Sequence, residues 1–399
     1  MNQDAGAAPD RAQAARSAAA VLTARGGELE ELSCVVGFDG FVDDILDAVR
    51  GRRSMAMSDY ERIATIEEFA ARVGAAAGVS TNIELVRRES RFGGNGPLLA
   101  SGLIGLGMRT SYVGCVGDGA GGVHGLFEGF ASRCARVVPI GPPGHTDALE
   151  FDDGKIMFNQ TSAVQGADWS ALVGAVGVAG LRELVGRATV VGIVNWSLCG
   201  GVEGIWRGLI DEVLPGLEAP PDGGRRRVFI DLSDPAKRSD ADIAGCVAWL
   251  GRMNRVVPVT LGLNLAEARR VGAVLGVGAE GGGAGRGAGL CDLARGILDR
   301  AGVSTVVVHP REGAAGATRG IGGVRSCWID GPVAERPRLS TGAGDHFNAG
   351  LAAGEALGLS LPECLSVATA SSGCYVRDAA SPGVGRVVEM LRAVGAGRV

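Results

Sequence analysis

Thr189-Val190-Val191-Gly192-Ile193-Val194 is a continuous apolar run rich in β-branched residues. It shows no alternation of polar and apolar positions, so the pattern predicts a strand covered on both faces. The same signature recurs to either side, at residues 34–37, 111–117, 228–231, 255–261 and 305–309. Each run leads into a Gly- or Asp-bearing turn and then a stretch of helical periodicity, so the order predicts an α/β fold with a mostly parallel central sheet between two helical layers. In such sheets ligands bind beyond the carboxyl ends of the strands.

Three segments depart from this rhythm. Residues 145–158 carry Ala148, Glu150 and Asp152 ahead of Asp153-Gly154, which predicts a β-hairpin with an Asp-Gly turn in a flap outside the main sheet. Residues 276–289 are almost all glycine and alanine and predict a mobile loop, since they offer no side chains to bury. Residues 1–31 are rich in alanine and arginine and read as a helical surface extension without chemistry of its own, leaving 32–399 as the main domain.

Composition removes several function classes. The formal net charge is −5, so no basic field exists to neutralise nucleic-acid phosphates or an anionic membrane. Lys155 and Lys237 are the only lysines, and neither is followed by Ser or Thr, so the chain has no GxxxxGK[ST] phosphate loop. Nine scattered cysteines form no CxxC pair and read as reduced thiols of a cytoplasmic protein. No secretory signal is visible at the N-terminus, and no apolar stretch reaches membrane-spanning length.

Four short motifs could carry chemistry. Gly117-Asp118-Gly119-Ala120-Gly121-Gly122 matches GxGxxG, yet no acid closes the next strand-like run, and a glycine-rich chain produces such matches by chance. Thr341-Gly342-Ala343-Gly344-Asp345-His346-Phe347 opens a helix, where backbone amides and the dipole favour an anion. Asp345 there either offsets the dipole or serves as a general base beside a transferring phosphoryl group. Asn264-Leu265-Ala266-Glu267 reads either as a capping box or as a polar pair near Mg²⁺ and phosphates. Asp39 and Asp43, at the end of the first strand, suit either turn capping or sugar hydroxyls.

Taken in this order, the segments resemble the ribokinase-like family of phosphofructokinase B type carbohydrate kinases. Gly93-Gly94-Asn95 and the run to Gly117-Asp118 resemble its N-terminal pattern, and Gly342-Ala343-Gly344-Asp345 its C-terminal one. The resemblance implies a three-layer sandwich with a small β-flap from about 44–92 and 145–160. It implies ATP-dependent phosphorylation of a sugar hydroxyl, with Asp345 as catalytic base and Gly342, Ala343 and Gly344 as anion hole. It further implies that Asp39 or Asp43, with Gly93, Gly94 and Asn95, binds the sugar. Asn264 and Glu267 would organise Mg²⁺ through waters, and His309, Arg311 and Gly313 would line the nucleotide side. His309 stands where the family has threonine. The implied partner is a small-molecule sugar, with neither nucleic acid nor membrane, and the resemblance is compatible with a monovalent cation and a homodimer. Two rivals are a nucleoside kinase of the same fold and a catalytically silent sugar- or nucleotide-binding regulator; retention of Asp345 argues against the second.

Overall fold

A computed structural model describes residues 10–278 and 285–399. Its described strands, in chain order, are β1 (Ser33–Gly37), β2 (Phe41–Arg52), β3 (Tyr60–Arg62), β4 (Leu85–Gly93), β5 (Arg109–Gly114), β6 (Arg136–Pro139) and β7 (Gly144–Phe151). They continue with β8 (Gly154–Gln160), β9 (Val190–Val194), β10 (Arg227–Asp231), β11 (Val259–Asn264), β12 (Thr305–His309), β13 (Gly313–Gly320) and β14 (Gly323–Asp330). The central sheet has the order β14-β13-β12-β11-β10-β9-β1-β5-β6. It is parallel from β12 to β6, and the β13–β14 hairpin continues one edge antiparallel.

The side-chain period of two divides the apolar runs between two cores. Val35 of β1 and Val306 and Val308 of β12 pack on one face, with Leu181, Trp206, Leu250 and Ile297 from the helices there. Cys34, Val36 and Val307 face the other side, against Leu103, Leu351, Leu365 and Leu391. The helix Arg11–Arg25 joins this second core through buried Ala14, Ala15, Ala18 and Leu22. Helices Ala343–Ala356 and Leu361–Asp378 approach closely because a Cβ on Gly350 would lie 2.9 Å from the Ala368 Cα.

The flap is a separate five-stranded sheet in which β2 pairs with β3, β4 and β7, and β7 with β8. The hairpin expected at Asp153-Gly154 is β7–β8. A small core of Leu46, Ile63, Leu149 and Phe151 holds the flap together.

Two expectations are corrected. The run at 255–261 becomes a strand only from Val259, because Val256 and Val257 still bond back to Met253 at a helix end and Pro258 has no N–H. Of the glycine-rich loop expected at 276–289, residues 279–284 lie outside the described residues. From Gly285 the chain is helical, and Gly287 lets that helix lie against Trp328, whose ring a Cβ would meet at 2.6 Å. No single helix among the described residues is long and apolar enough to cross a membrane.

From β1 the sheet grows one way through β5 and β6 and, later in the chain, the other way through β9 to β12. The crevice between β1 and β9 is therefore the topological switch point, the place such sheets offer to ligands.

Candidate active site

Asp345 lies in the first turn of helix Ala343–Ala356 and is 6% exposed. The turn before it depends on Gly342, whose φ of 89° is left-handed and which a Cβ would bring within 2.8 Å of the Tyr375 hydroxyl. Asn95, at the start of helix Asn95–Gly105, donates from Nδ2 to Asp345 Oδ1 at 3.0 Å. The Ser233 hydroxyl donates to Asn95 Oδ1 at 3.3 Å.

Two cavities meet at this turn. One, of about 220 Å³, lies under the flap and is lined by Asp43, Gly94, Asn95, Thr146, Asn159, Asn195, Ser233, Lys237, Gly342 and Asp345. The other, of about 370 Å³, lies beyond β11 to β13 and is lined by Asn264, His309, Arg311, Gly313, Ala343, Gly344 and Phe347. Asp345 faces the first and Gly344 the second. A group passing from one cavity to the other crosses the helix N-terminus, with its partial positive charge.

The electrostatics are those of crowded, buried acids. Burial and the charge of Asp231 push the Asp345 carboxyl well above the ordinary carboxylate range, against the opposing bond from Asn95. Burial, then Asp231, pushes Glu267 up to about 9. Asp231 is itself raised by burial, although the Ser233 amide and the Asn348 side chain bond it.

The two carboxylates expected on the sugar separate clearly. Asp39 is fully buried beneath the cavity, accepting from the Asn95 amide at 2.9 Å, the Gly96 amide at 2.7 Å and Asn195 Nδ2 at 2.7 Å. Burial raises it to about 6, and it lines neither cavity. Asp39, expected beside the sugar, thus has its oxygens committed to three amides and holds the walls of the site, whereas Asp43 lines the cavity under the flap. Gly93 makes room for Asp43, since a Cβ there would lie 2.2 Å from Asp43 Oδ2. Gly94 has a φ of 102° and turns the chain into the helix headed by Asn95.

Asn264 caps helix Leu265–Val274: its Oδ1 accepts from the Ala266 and Glu267 amides, and its Nδ2 donates to Glu267 Oε1. Both lone pairs of that oxygen are used within the cap, so Asn264 orients Glu267 while lining the second cavity. Ala343 lines the second cavity beside Gly344, and its N–H donates to the Ser340 carbonyl at 3.2 Å. His309, Arg311 and Gly313 come together on the second cavity. His309 is stacked on Phe347 with ring centroids 4.5 Å apart, held neutral by burial with its titration lowered to about 4, and its Nε2 is buried without a partner.

Sequence reading missed several wall residues. Asn195 (φ 63°) and Ser233 (φ 68°) adopt left-handed backbone just past β9 and β10. Position beyond a strand end at the switch point was the available signal. Lys155, on the flap, donates to the Thr341 hydroxyl, and Lys237 lines the first cavity. In a chain with two lysines, that both converge here was a compositional signal.

A switch-point crevice covered by a β-flap, with an acid after a glycine turn between two cavities, defines a ribokinase-like carbohydrate kinase. The Arabidopsis thaliana ribokinase, solved with ribose and ATP, matches this fold with a TM-score of 0.59 at 18% identity, covering 91% of this chain and 99% of its own. A Cryptococcus neoformans ribokinase solved with ADP gives 0.59 at 16%, covering 90% and 99%. Within that class the chain belongs to the prokaryotic ketohexokinase family, which residues 10–393 match. The ketohexokinase of Haloferax volcanii is 32% identical over 350 residues, 87% of each chain. This protein is thus an ATP-dependent sugar kinase.

Proposed function

We propose that the sugar is a ketohexose, bound in the cavity under the flap, and that Asp345 is the base that accepts its hydroxyl proton. The observation that carries this reading is the position of Asp345, fixed by Asn95 on the wall of the cavity under the flap and one residue from Gly344 on the wall of the other. Its raised proton affinity suits it to take a proton from an alcohol as the oxygen attacks the γ-phosphorus of ATP and the bond to the departing ADP breaks. The Gly342 and Gly344 amides and the helix N-terminus meet the charge on the transferring group. Asp43, Asn95, Asn159 and Asn195 supply hydrogen-bonding partners for sugar hydroxyls, and the polar wall around them supports a carbohydrate over a flat base.

The residues present suit a divalent cation on the nucleotide side. Beyond burial, the charge of Asp231 raises the proton affinity of both Glu267 and Asp345, and Asp345 adds to it at Glu267, an excess of negative charge that a cation would relieve. Glu267, oriented by Asn264, would hold Mg²⁺ through waters. Mg²⁺ supplies charge neutralisation on the phosphates. A cytoplasmic location agrees with nine unpaired, mostly buried thiols.

The test is a phosphorylation screen with purified protein and ATP-Mg²⁺ across ketohexoses, aldohexoses, pentoses and nucleosides. The expected outcome is the highest kcat/KM on a ketohexose. A nucleoside or pentose as best acceptor would overturn the reading.

A further inference from the structure

Directly behind the glycine turn lies a group of side chains that touches neither cavity's contents yet holds the turn's backbone. The Tyr375 hydroxyl donates to the Thr341 carbonyl at 2.8 Å. The Gly342 carbonyl accepts twice, from the His346 backbone N–H at 3.0 Å and from its ring Nδ1 at 2.8 Å. On the far side of the ring, His346 Nε2 lies 2.8 Å from the Ser381 hydroxyl. The imidazole and the phenol are stacked, with centroids 3.7 Å apart and planes 14° from parallel. His346 is fully buried and Tyr375 is 5% exposed.

This arrangement admits one protonation pattern. A carbonyl oxygen can only accept, so Nδ1 carries the hydrogen; in the neutral ring Nε2 is then a bare acceptor to which the Ser381 hydroxyl donates. Burial keeps the ring neutral by lowering its titration to about 4. The donor chain therefore runs in one direction, from Ser381 through His346 to the Gly342 carbonyl.

In a planar trans peptide the carbonyl of one residue and the N–H of the next point in opposite directions. Anchoring the Thr341 carbonyl on Tyr375 aims the Gly342 N–H away from that ring. Anchoring the Gly342 carbonyl on His346 sets the next peptide plane, whose Ala343 N–H closes the turn on the Ser340 carbonyl. Gly342 has no Cβ and the freedom that goes with it, so its orientation must come from neighbours. The two anchors stand on different helices, Ala343–Ala356 and Leu361–Asp378, which makes the aim of the turn depend on how those helices pack.

We infer that His346 and Tyr375 are positioning residues: a stacked brace that pins two successive carbonyls and so holds the glycine turn with its Gly342 amide already aimed at the transferring phosphoryl group. The inference rests on the reading of Asp345 and the glycine turn as the phosphoryl-transfer centre. Preorganised donors act without reorganisation cost during the reaction, and a displacement of about 1 Å can cost about 10²-fold in rate.

The experiment compares His346→Leu with His346→Asn, which share a shape and differ in the donor at the Nδ1 position, alongside Tyr375→Phe, which loses only the hydroxyl. Asp345→Asn is assayed in parallel. His346→Leu and Tyr375→Phe should each lower kcat by about 10- to 100-fold while KM for the ketohexose and Kd for ATP stay within about twofold. Inhibition by ADP with aluminium fluoride, which mimics the transferring group, should weaken by the same factor. His346→Asn should recover most of the lost kcat. Wild-type kcat in both donor-less variants would overturn the inference, as would a kcat loss in His346→Asn equal to that in His346→Leu. Should His346→Leu fail to fold, Tyr375→Phe decides by itself, and unchanged kcat and inhibition there refute the brace. An inactive Asp345→Asn with fully active brace variants sinks only the brace; a fully active Asp345→Asn sinks the reading beneath it.

Discussion

Gly93→Ala adds one methyl group at the edge of the flap and tests how the sugar is held. The new Cβ would stand 2.2 Å from Asp43 Oδ2, 2.6 Å from its Cγ and 2.8 Å from Oδ1. Gly93 has no left-handed backbone to strain, so the substitution acts through that contact alone. Ordinary contact requires about 3.4 Å, so the carboxylate must retreat by more than about 1 Å. A hydrogen bond stretched by that amount is lost. Hydrogen bonds to charged groups are worth about 1.5–3 kcal/mol, which converts to a rise of about 10- to 150-fold in KM for the ketohexose. Folding should be little affected, because the displaced atoms are the free end of a side chain whose rotamer change costs about 0.5–1.5 kcal/mol. The assay is a coupled ADP-release measurement with the sugar titrated at saturating ATP, accompanied by ATP binding and melting temperature. KM within twofold of the wild-type value, in a folded variant, would refute the placement of Asp43 on the acceptor.

Asp345→Asn keeps the shape and removes the proton acceptor, so turnover should fall by about 10²- to 10⁴-fold; an acid that merely offset the dipole would cost about 0.3–1 kcal/mol of stability with turnover nearly intact. Because Asp345 works in its deprotonated form and its titration is raised by burial and Asp231, activity should be lost as pH falls through a value well above the ordinary carboxylate range, as a kcat/KM profile would show. Asp39→Ala strands three buried amide donors and should destabilise the fold by about 2–5 kcal/mol in denaturant titration, whereas a loss below about 1 kcal/mol would remove its scaffolding role. His346 titrates near 4 in the fold and at 6.5 ordinarily, so the unfolded chain binds the extra proton between those values and stability falls as pH drops through that window. That loss amounts to about 3 kcal/mol. Asp39, raised to about 6, acts in the opposite sense across part of the same range, so the test is the difference in unfolding free energy between wild type and His346→Asn at successive pH values. The difference should shrink as pH falls, and a pH-independent difference would contradict a neutral buried imidazole.

The strands that were legible share one property. The runs at 189–194 and 305–309 are apolar on both faces because each is sandwiched between two helical layers, and that burial leaves a mark on every residue. The flap strands were harder. β2 carries Asp43, Asp44 and Asp47, and β4 reads Leu-Val-Arg-Arg-Glu-Ser-Arg-Phe-Gly, so neither shows an apolar period. β13 is built of glycine and alanine because helices pack close upon it, as the 2.8 Å approach of Leu361 to a Cβ on Gly316 shows. Small residues that serve close packing look the same as small residues that serve flexibility, which is also why the start of helix Gly285–Ala301 reads as loop in the sequence.

The site divides along the same physical line. The alternation of buried strands and helices, the Asp-Gly hairpin and the glycine turn that leads into Asp345 are legible in the sequence, and the capping box at Asn264 is one of its two readings there. Each of these depends on interactions within a few residues, where backbone sterics and local hydrogen bonds leave little choice. Tertiary structure alone decided that Asn95 bonds Asp345 across 250 residues of chain, that Asp39 lies under the floor while Asp43 faces the cavity, and that Lys155 reaches from the flap to Thr341. It also set His346 against Tyr375 behind the turn. The reason is that burial and charge coupling depend on which distant segments are brought together, and an aspartate carries no local mark of whether amides or a cavity will meet its oxygens.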